Sequence, residues 1–205
     1  MAWDRKASRP TVIFDLGGVL VGFNFMRACT RLEAAGGAPA RRIHDAILGG
    51  KEKIWFDTGR LSPQEFAART CAAIDLRLPY SEFVDIWCDI FVEQREVTGL
   101  LDEIGKNADL VLLSNTDPLH LDYVRSRYGF LGKFGHLVLS YEVGHAKPAR
   151  QIFERALGLA AAGTRMIYFD DVPEFVAAAR ACGLPAEQFI DAAGLRRDLV
   201  RFGVL

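Results

Sequence analysis

At 205 residues, half of them hydrophobic, the chain is long enough for one large domain or for a core domain carrying a smaller insert, and a sizeable core can be buried. Lys and Arg number 25 against 26 for Asp and Glu, so no net field draws the chain to nucleic acid or anionic lipid, and partners are expected to be small or neutral. Cys29, Cys71, Cys88 and Cys182 show no paired spacing and read as reduced core thiols. Residues 1–10 lack the apolar stretch of a signal peptide, and no apolar run approaches the roughly 18 residues of a membrane span, so a cytoplasmic protein without a membrane partner is expected.

In chain order, Thr11 to Phe14 (TVIF) is a short apolar run that stops at Asp15 and a glycine pair, which predicts a strand buried on both faces followed by a tight turn. From about Asn24 to Glu96 the apolar residues recur at three- and four-residue intervals: Phe25, Ala28, Cys29, Leu32; Ile43, Ala46, Ile47; Phe66, Ala67, Cys71, Ile74; Phe83, Ile86, Trp87, Ile90. This pattern predicts an all-helical stretch. Ser62-Pro63-Gln64-Glu65 combines a capping box with proline at the first helical position, while Gly36-Gly37-Ala38-Pro39 and Gly49-Gly50 mark breaks.

After a helix near Val97 to Lys106, strand signals return at Asp109 to Asn115, His136 to Tyr141 and Arg165 to Asp170, each ending in polar residues. Helices are expected at about Pro118 to Arg127, Pro148 to Leu157 and Pro173 to Cys182, with Asp171 a candidate cap for the last of these. A loop is expected at Ala160 to Gly163, then a short strand near Gln188 to Ile190 and a helix near Leu195 to Phe202. Alternating strands and helices imply a parallel sheet with right-handed crossovers. The expected architecture is an α/β fold: a Rossmann-like parallel sheet core formed by residues 1–22 and 97–205, with an inserted all-helical cap domain over 23–96. An open α/β sheet binds ligands outside the carboxyl ends of its strands, the edge that such an insert covers.

The polar residues at those ends are Asp15, Ser114-Asn115-Thr116, Lys147 in the turn after the third strand, and Asp170-Asp171. In a parallel sheet they converge on one crevice. Their chemistry is complementary: three carboxylates form a hard oxygen site suited to Mg²⁺, a hydroxyl and backbone amides can hold phosphate oxygens, and Lys147 can neutralise charge. Taken singly, each has a plainer explanation. Asp15 could be a turn residue, Ser114 a turn cap and Lys147 a solvated helix start; convergence of the set favours phosphoryl-transfer chemistry. His44, His120, His136 and His145 show no metal spacing. Trp55, Phe56, Asp57 and Arg60 read mainly as insert core and a solvated turn, and Phe23, Phe25, Phe83 and Trp87 as helix packing.

FDLGGVL at 14–20, LLSNTD at 112–117, GHAKP at 144–148 and FDD at 169–171 resemble the four ordered motifs of the haloacid dehalogenase-like (HAD) hydrolases, across nearly the whole chain. The insert after the first motif resembles the C1 cap of subfamily IA. The form of the motifs resembles the sugar-phosphate phosphatase branch typified by bacterial α-D-glucose-1-phosphate phosphatase. The resemblance implies Asp15 as nucleophile forming an aspartyl-phosphate and Mg²⁺ held by Asp15, the Gly17 carbonyl, Asp170 and Asp171. It also implies phosphate held by Ser114, the Asn115 amide and Lys147, with a small phosphorylated metabolite as substrate. Oligomeric state is left open.

Two departures from the family pattern stand out. Most phosphatases of the superfamily carry a second aspartate two residues after the nucleophile, as general acid and then base; here that residue is Gly17, and Gly22 and Asn24 stand where some relatives place an acid instead. Glu174 and Phe175 follow the FDD where an aspartate and an asparagine are common. The missing acid keeps two alternatives open, a 2-haloacid dehalogenase-type hydrolase and a weakly active HAD fold serving as a ligand-binding protein. The acidic pair Asp170-Asp171 weighs against the dehalogenase, which works without metal.

Overall fold

The structure, a computed structural model, describes residues 9–160 and 163–205. Residues 161 and 162 of the expected loop, and most of the amino-terminal stretch read for a signal peptide, lie outside the described residues. The chain opens with β1 (Thr11–Phe14) and β2 (Val21–Phe23), then runs through five helices: α1 (Phe25–Ala34), α2 (Ala40–Leu48), α3 (Lys51–Asp57), α4 (Pro63–Ala73) and α5 (Tyr80–Cys88). It returns through β3 (Phe91–Glu93), α6 (Arg95–Thr98) and α7 (Leu101–Asn107) to β4 (Asp109–Ser114) and α8 (Pro118–Arg127). A 3-10 turn (Gly129–Lys133) leads to β5 (His136–Leu139), α9 (Ser140–Val143) and α10 (Arg150–Leu157). The chain then closes with β6 (Met166–Asp170), α11 (Pro173–Ala181), β7 (Ala186–Gln188) and α12 (Ala192–Phe202).

Five strands form one parallel sheet in the order β5-β4-β1-β6-β7, with β1 at the centre. Side chains alternate across it. Val12 and Phe14 of β1 join Leu110, Leu112, Ile167 and Phe169 in an apolar layer completed by residues of α7, α8 and α12. Ile13, Val111, Leu113 and Tyr168 face the other way, onto Ile152 and Phe153 of α10 and Val176 and Ala179 of α11. Burial on both faces explains why these strands are continuous apolar runs rather than alternating ones. The result is the Rossmann-like α/β sandwich expected from the sequence, with a helical insert between β1 and β4.

The insert buries an apolar cluster of its own, centred on Phe56, Phe66, Phe83 and Trp87. The Phe56 and Phe66 rings stack at 4.3 Å, and Phe66 meets Trp87 edge-on at 4.9 Å. Helix α4 starts as its sequence dictates: the Ser62 hydroxyl accepts from the Glu65 N–H and the Glu65 carboxylate accepts from the Ser62 N–H.

Six local expectations are corrected, two of them strand bounds: β5 ends at Leu139, with Ser140 and Tyr141 in α9, and β7 is Ala186–Gln188 rather than 188–190. The helical stretch ends before Glu96, because Phe91–Glu93 is a strand paired antiparallel with β2, in register Phe23 with Phe91. Its partner lies some seventy residues upstream, so helical spacing alone could not reveal it. Phe23 is accordingly a strand residue, 55% exposed, and not part of the helix packing. The helix near 97–106 is broken into α6 and α7 at Gly99-Leu100. Finally, Asp171 does not cap α11; the N–H of Val172 is taken by the carboxylate of Asp170, 2.9 Å away, and the cap position is Val172 itself.

The insert meets the carboxyl edge of the sheet at two places. The turn after α3 presses on α9: Gly59 has φ +69°, and a Cβ there would lie 2.2 Å from the carbonyl oxygen of Tyr141. At the start of α8, buried Asp117 caps the helix through the His120 N–H at 2.9 Å and pairs with His120 Nδ1, also at 2.9 Å. His120 Nε2 faces the carbonyl of Trp87, and its ring stacks on that indole at 5.0 Å. Lys53 of α3 pairs with Asp57 and lies 3.9 Å from Asp117. Thus Asp57 belongs to a charged junction between insert and core. Among the described residues, no helix is long and apolar enough to cross a membrane.

Candidate active site

Register brings the acidic groups together. Phe14 of β1 pairs with Leu112 on one side and Phe169 on the other, so Asp15 leaves the sheet level with Asp170, its N–H donating to the carbonyl of Phe169 at 2.9 Å. Asp171 follows at once. One carboxylate oxygen from each of Asp15, Asp170 and Asp171 lies within 4.8 Å of the others. Gly18 makes room for this cluster: its φ is +78°, and a Cβ there would fall 2.2 Å from Asp171 Oδ2.

Lys147 supplies the opposing charge from the turn before α10. Its ammonium lies 2.9 Å from Asp15 Oδ1 and 2.7 Å from Asp170 Oδ2, and it donates to the Tyr168 hydroxyl at 2.9 Å. The ring of Phe175 sits 5.1 Å from the ammonium, a cation-π distance. A buried lysine with four oxygen partners, the Leu113 carbonyl at 3.4 Å being the longest, and two rings nearby has little freedom to move. Its backbone is fixed as well, since the Asn115 side chain accepts from the Lys147 N–H at 2.7 Å and donates to the Lys147 carbonyl at 2.9 Å.

The electrostatics follow from burial. Asp15 is pushed up to about 7, first because it is desolvated and further by Asp170, against the pull of Lys147. Burial and then Asp170 also raise Asp171. Burial, with Asp15 and Asp170 nearby, holds the Tyr168 phenol well above its usual range, so it stays a neutral donor to Asp170 Oδ2. Three carboxylates beside one ammonium leave a net negative pocket, and an all-oxygen donor set of this kind fits a hard divalent cation.

The structure therefore brings together Asp15, Lys147, Asp170 and Asp171, with Ser114 and Asn115 at the adjoining end of β4. Ser114 is buried and, among the described residues, its hydroxyl makes only a long contact, 3.4 Å, to the Asn115 carbonyl. Gly17 lies in the loop between β1 and β2, bridged to Val21. Glu174 is exposed on α11. Sequence reasoning missed Tyr168, the side-chain role of Asn115 and the ring of Phe175. Tyr168 was within reach of strand periodicity, because it stands two residues before Asp170 and so shares its face. The other two depend on where separate elements pack. A separate cavity of about 530 Å³, lined by Arg9, Thr11, Asp109 and His136 among others, opens at the amino ends of β1, β4 and β5, away from these residues.

A parallel α/β sheet with carboxylates and a lysine gathered at its carboxyl edge, beneath a helical insert, defines a class of hydrolase. The family model for haloacid dehalogenase-like hydrolases matches residues 10–183, and the chain belongs to that family. A D-ribitol-5-phosphate phosphatase from Bacteroides thetaiotaomicron is 29% identical over 151 residues, covering 70% of this chain and 73% of that protein. Among solved structures, a predicted HAD-like family hydrolase from Porphyromonas gingivalis superposes with a TM-score of 0.80 at 24% identity, over 95% of this chain and 99% of the other. A HAD family enzyme of B. thetaiotaomicron, in complex with magnesium and inorganic phosphate, gives a TM-score of 0.75 at 21% identity, over 92% and 99%.

Proposed function

We propose that this HAD hydrolase is a Mg²⁺-dependent phosphatase acting on a small phosphorylated metabolite of the sugar-phosphate type, through an aspartyl-phosphate on Asp15. The observation that carries the reading is the Lys147 ammonium seated between Asp15 and Asp170 beside a three-carboxylate cluster. The names of the B. thetaiotaomicron relatives, a ribitol phosphate phosphatase and an enzyme bound to magnesium and phosphate, support phosphatase chemistry with that metal, whatever the ester.

Asp15, Asp170, Asp171 and the Gly17 carbonyl would hold Mg²⁺, which when bound supplies positive charge to the phosphate oxygens. Lys147 adds a second positive charge and orients the Asp15 carboxylate for attack on phosphorus. Ser114 and the N–H of Asn115 would take phosphate oxygens at the end of β4. We assign residues 23–96 to a cap that covers this edge and excludes water, and 1–22 with 97–205 to the core; the insert's own apolar cluster and the Gly59 contact with Tyr141 support that division. The unpaired, mostly buried cysteines suit a cytoplasmic setting.

The test is phosphate release from a panel of phosphomonoesters with Mg²⁺, for wild type and Asp15→Asn. Release by wild type, abolished in the variant and by EDTA, is expected. Equal release by both proteins across the panel would refute the reading, and EDTA-insensitive halide release from a 2-haloacid would replace it with the dehalogenase.

A further inference from the structure

Phe23 ends β2 with its side chain 55% exposed, which is unusual only in what it lies against. A side chain starting at Gly17 would place its Cβ 3.0 Å from Phe23 Cε1 and 3.3 Å from Cδ1. The ring thus occupies the space that an acid two residues after Asp15 would enter. It is held there by backbone: β2 pairs with β3, the Gly18 N–H donates to the Val21 carbonyl at 2.8 Å, and the Gln94 side chain donates to the Gly18 carbonyl at 2.8 Å. These bonds tie loop to ribbon and keep the ring beside the nucleophile's loop.

We propose that Phe23 determines which leaving group this site accepts, and that the substrate class is a phosphate whose leaving oxygen is weakly basic: an aryl, enol, acyl or anomeric phosphate rather than a simple alkyl ester. The inference rests on the phosphatase reading above. In the first step an oxygen of Asp15 bonds to phosphorus and the bond from phosphorus to the leaving oxygen breaks, its electron pair staying on that oxygen. A phenyl ring can donate no proton, so the group departs as an anion and takes its proton from water afterwards. In the second step water attacks the phosphorus of the aspartyl-phosphate, the bond to Asp15 breaks, and the water's proton is carried off on the released phosphate. Without a proton donor the first barrier scales with leaving-group basicity, while the ring offers an apolar face to a cyclic leaving group.

The experiment measures kcat/KM with Mg²⁺ for aryl, anomeric and primary alkyl phosphates of similar size, using wild type, Phe23→Ala and Gly17→Asp/Phe23→Ala, with folding checked by circular dichroism. Wild type is expected to turn over alkyl esters about 100 to 10,000-fold more slowly than aryl esters. Phe23→Ala should raise KM for cyclic leaving groups and keep the steep dependence, and a folded double variant should flatten it. Equal rates for aryl and alkyl esters in wild type, or an unchanged KM in Phe23→Ala, would overturn the inference and leave the phosphatase reading standing. Failure of wild type on every ester would overturn that reading, and this inference with it.

Discussion

The Asn115 side chain grips the peptide of Lys147 at both ends, accepting from its N–H at 2.7 Å and donating to its carbonyl at 2.9 Å. This two-point hold couples the end of β4 to the turn that carries the ammonium. Asn115→Ala removes both bonds and leaves two backbone groups to find new partners, at a cost of about 1 to 3 kcal/mol. Activity should fall about 10 to 100-fold as Lys147 drifts from Asp15. Urea unfolding and steady-state rates on the best phosphomonoester check both, and Asn115→Asp, which keeps only the acceptor, should fall between.

Protonation of Asp15 links stability, pH and metal. Burial raises this carboxyl from 3.8 to about 7, so the folded state binds a proton that the unfolded chain has already lost. A group with a raised folded-state pKa stabilises fully below about pH 4, and its contribution disappears as the pH rises through about 7. Metal-free wild type should therefore lose stability over that window relative to Asp15→Asn, whose neutral amide does not titrate. Mg²⁺ competes with the same proton, so its affinity should rise about tenfold per pH unit below about pH 7 and level off above it. Thermal melts with EDTA and calorimetric Mg²⁺ titrations across this range read the two effects.

Tyr168 donates its hydroxyl to Asp170 and accepts from Lys147. Tyr168→Phe keeps the ring that fills the α10 and α11 face but strips one donor from a fully buried carboxylate. A loss of about 1 to 3 kcal/mol is expected, with Mg²⁺ affinity changed about 10 to 100-fold. Unchanged Mg²⁺ binding in a stable variant would show that Asp170 is oriented by Lys147 and Val172 alone.

Asp117 sits fully buried between His120 and Lys53, where the insert meets the core. Burial opposes its charge, but His120 and then Lys53 outweigh it and hold the carboxyl below its usual value. A lowered pKa means stability present above the unfolded value and lost as pH falls through the folded one, so the contribution of Asp117 to this junction is lost in acid. Asp117→Ala leaves His120 facing no carboxylate and removes the α8 cap. The expected cost is about 3 to 5 kcal/mol, measured by denaturant unfolding at neutral pH.

Gly18→Ala should act on metal rather than on the core. With φ at +78° and a Cβ 2.2 Å from Asp171 Oδ2, the methyl group must displace that carboxylate. Mg²⁺ binding by calorimetry should weaken markedly while Lys147 and Asp15 stay paired.

Local signals in the sequence specify the layered fold and the order of its strands, although β5 stops at Leu139 and β7 lies two residues earlier than its apolar letters suggest. Buried parallel strands are unbroken apolar runs, and Ser62-Pro63 and Asp117-Pro118 start helices that the structure contains. Placing Asp15, Lys147 and Asp170 at one edge needed only that the strands be parallel, although their roles in turnover stand as proposals. The relationships that pair distant segments come from packing in three dimensions. The β2–β3 ribbon, the Asn115 grip on Lys147, the Tyr168 hydroxyl on Asp170 and the Phe175 ring over the ammonium join residues whose separation carries no periodic signal. Position 17 combines both kinds of information. Its lack of an acid is legible in seven letters, but that the vacated space is filled by Phe23 follows from a strand pairing no local pattern encodes.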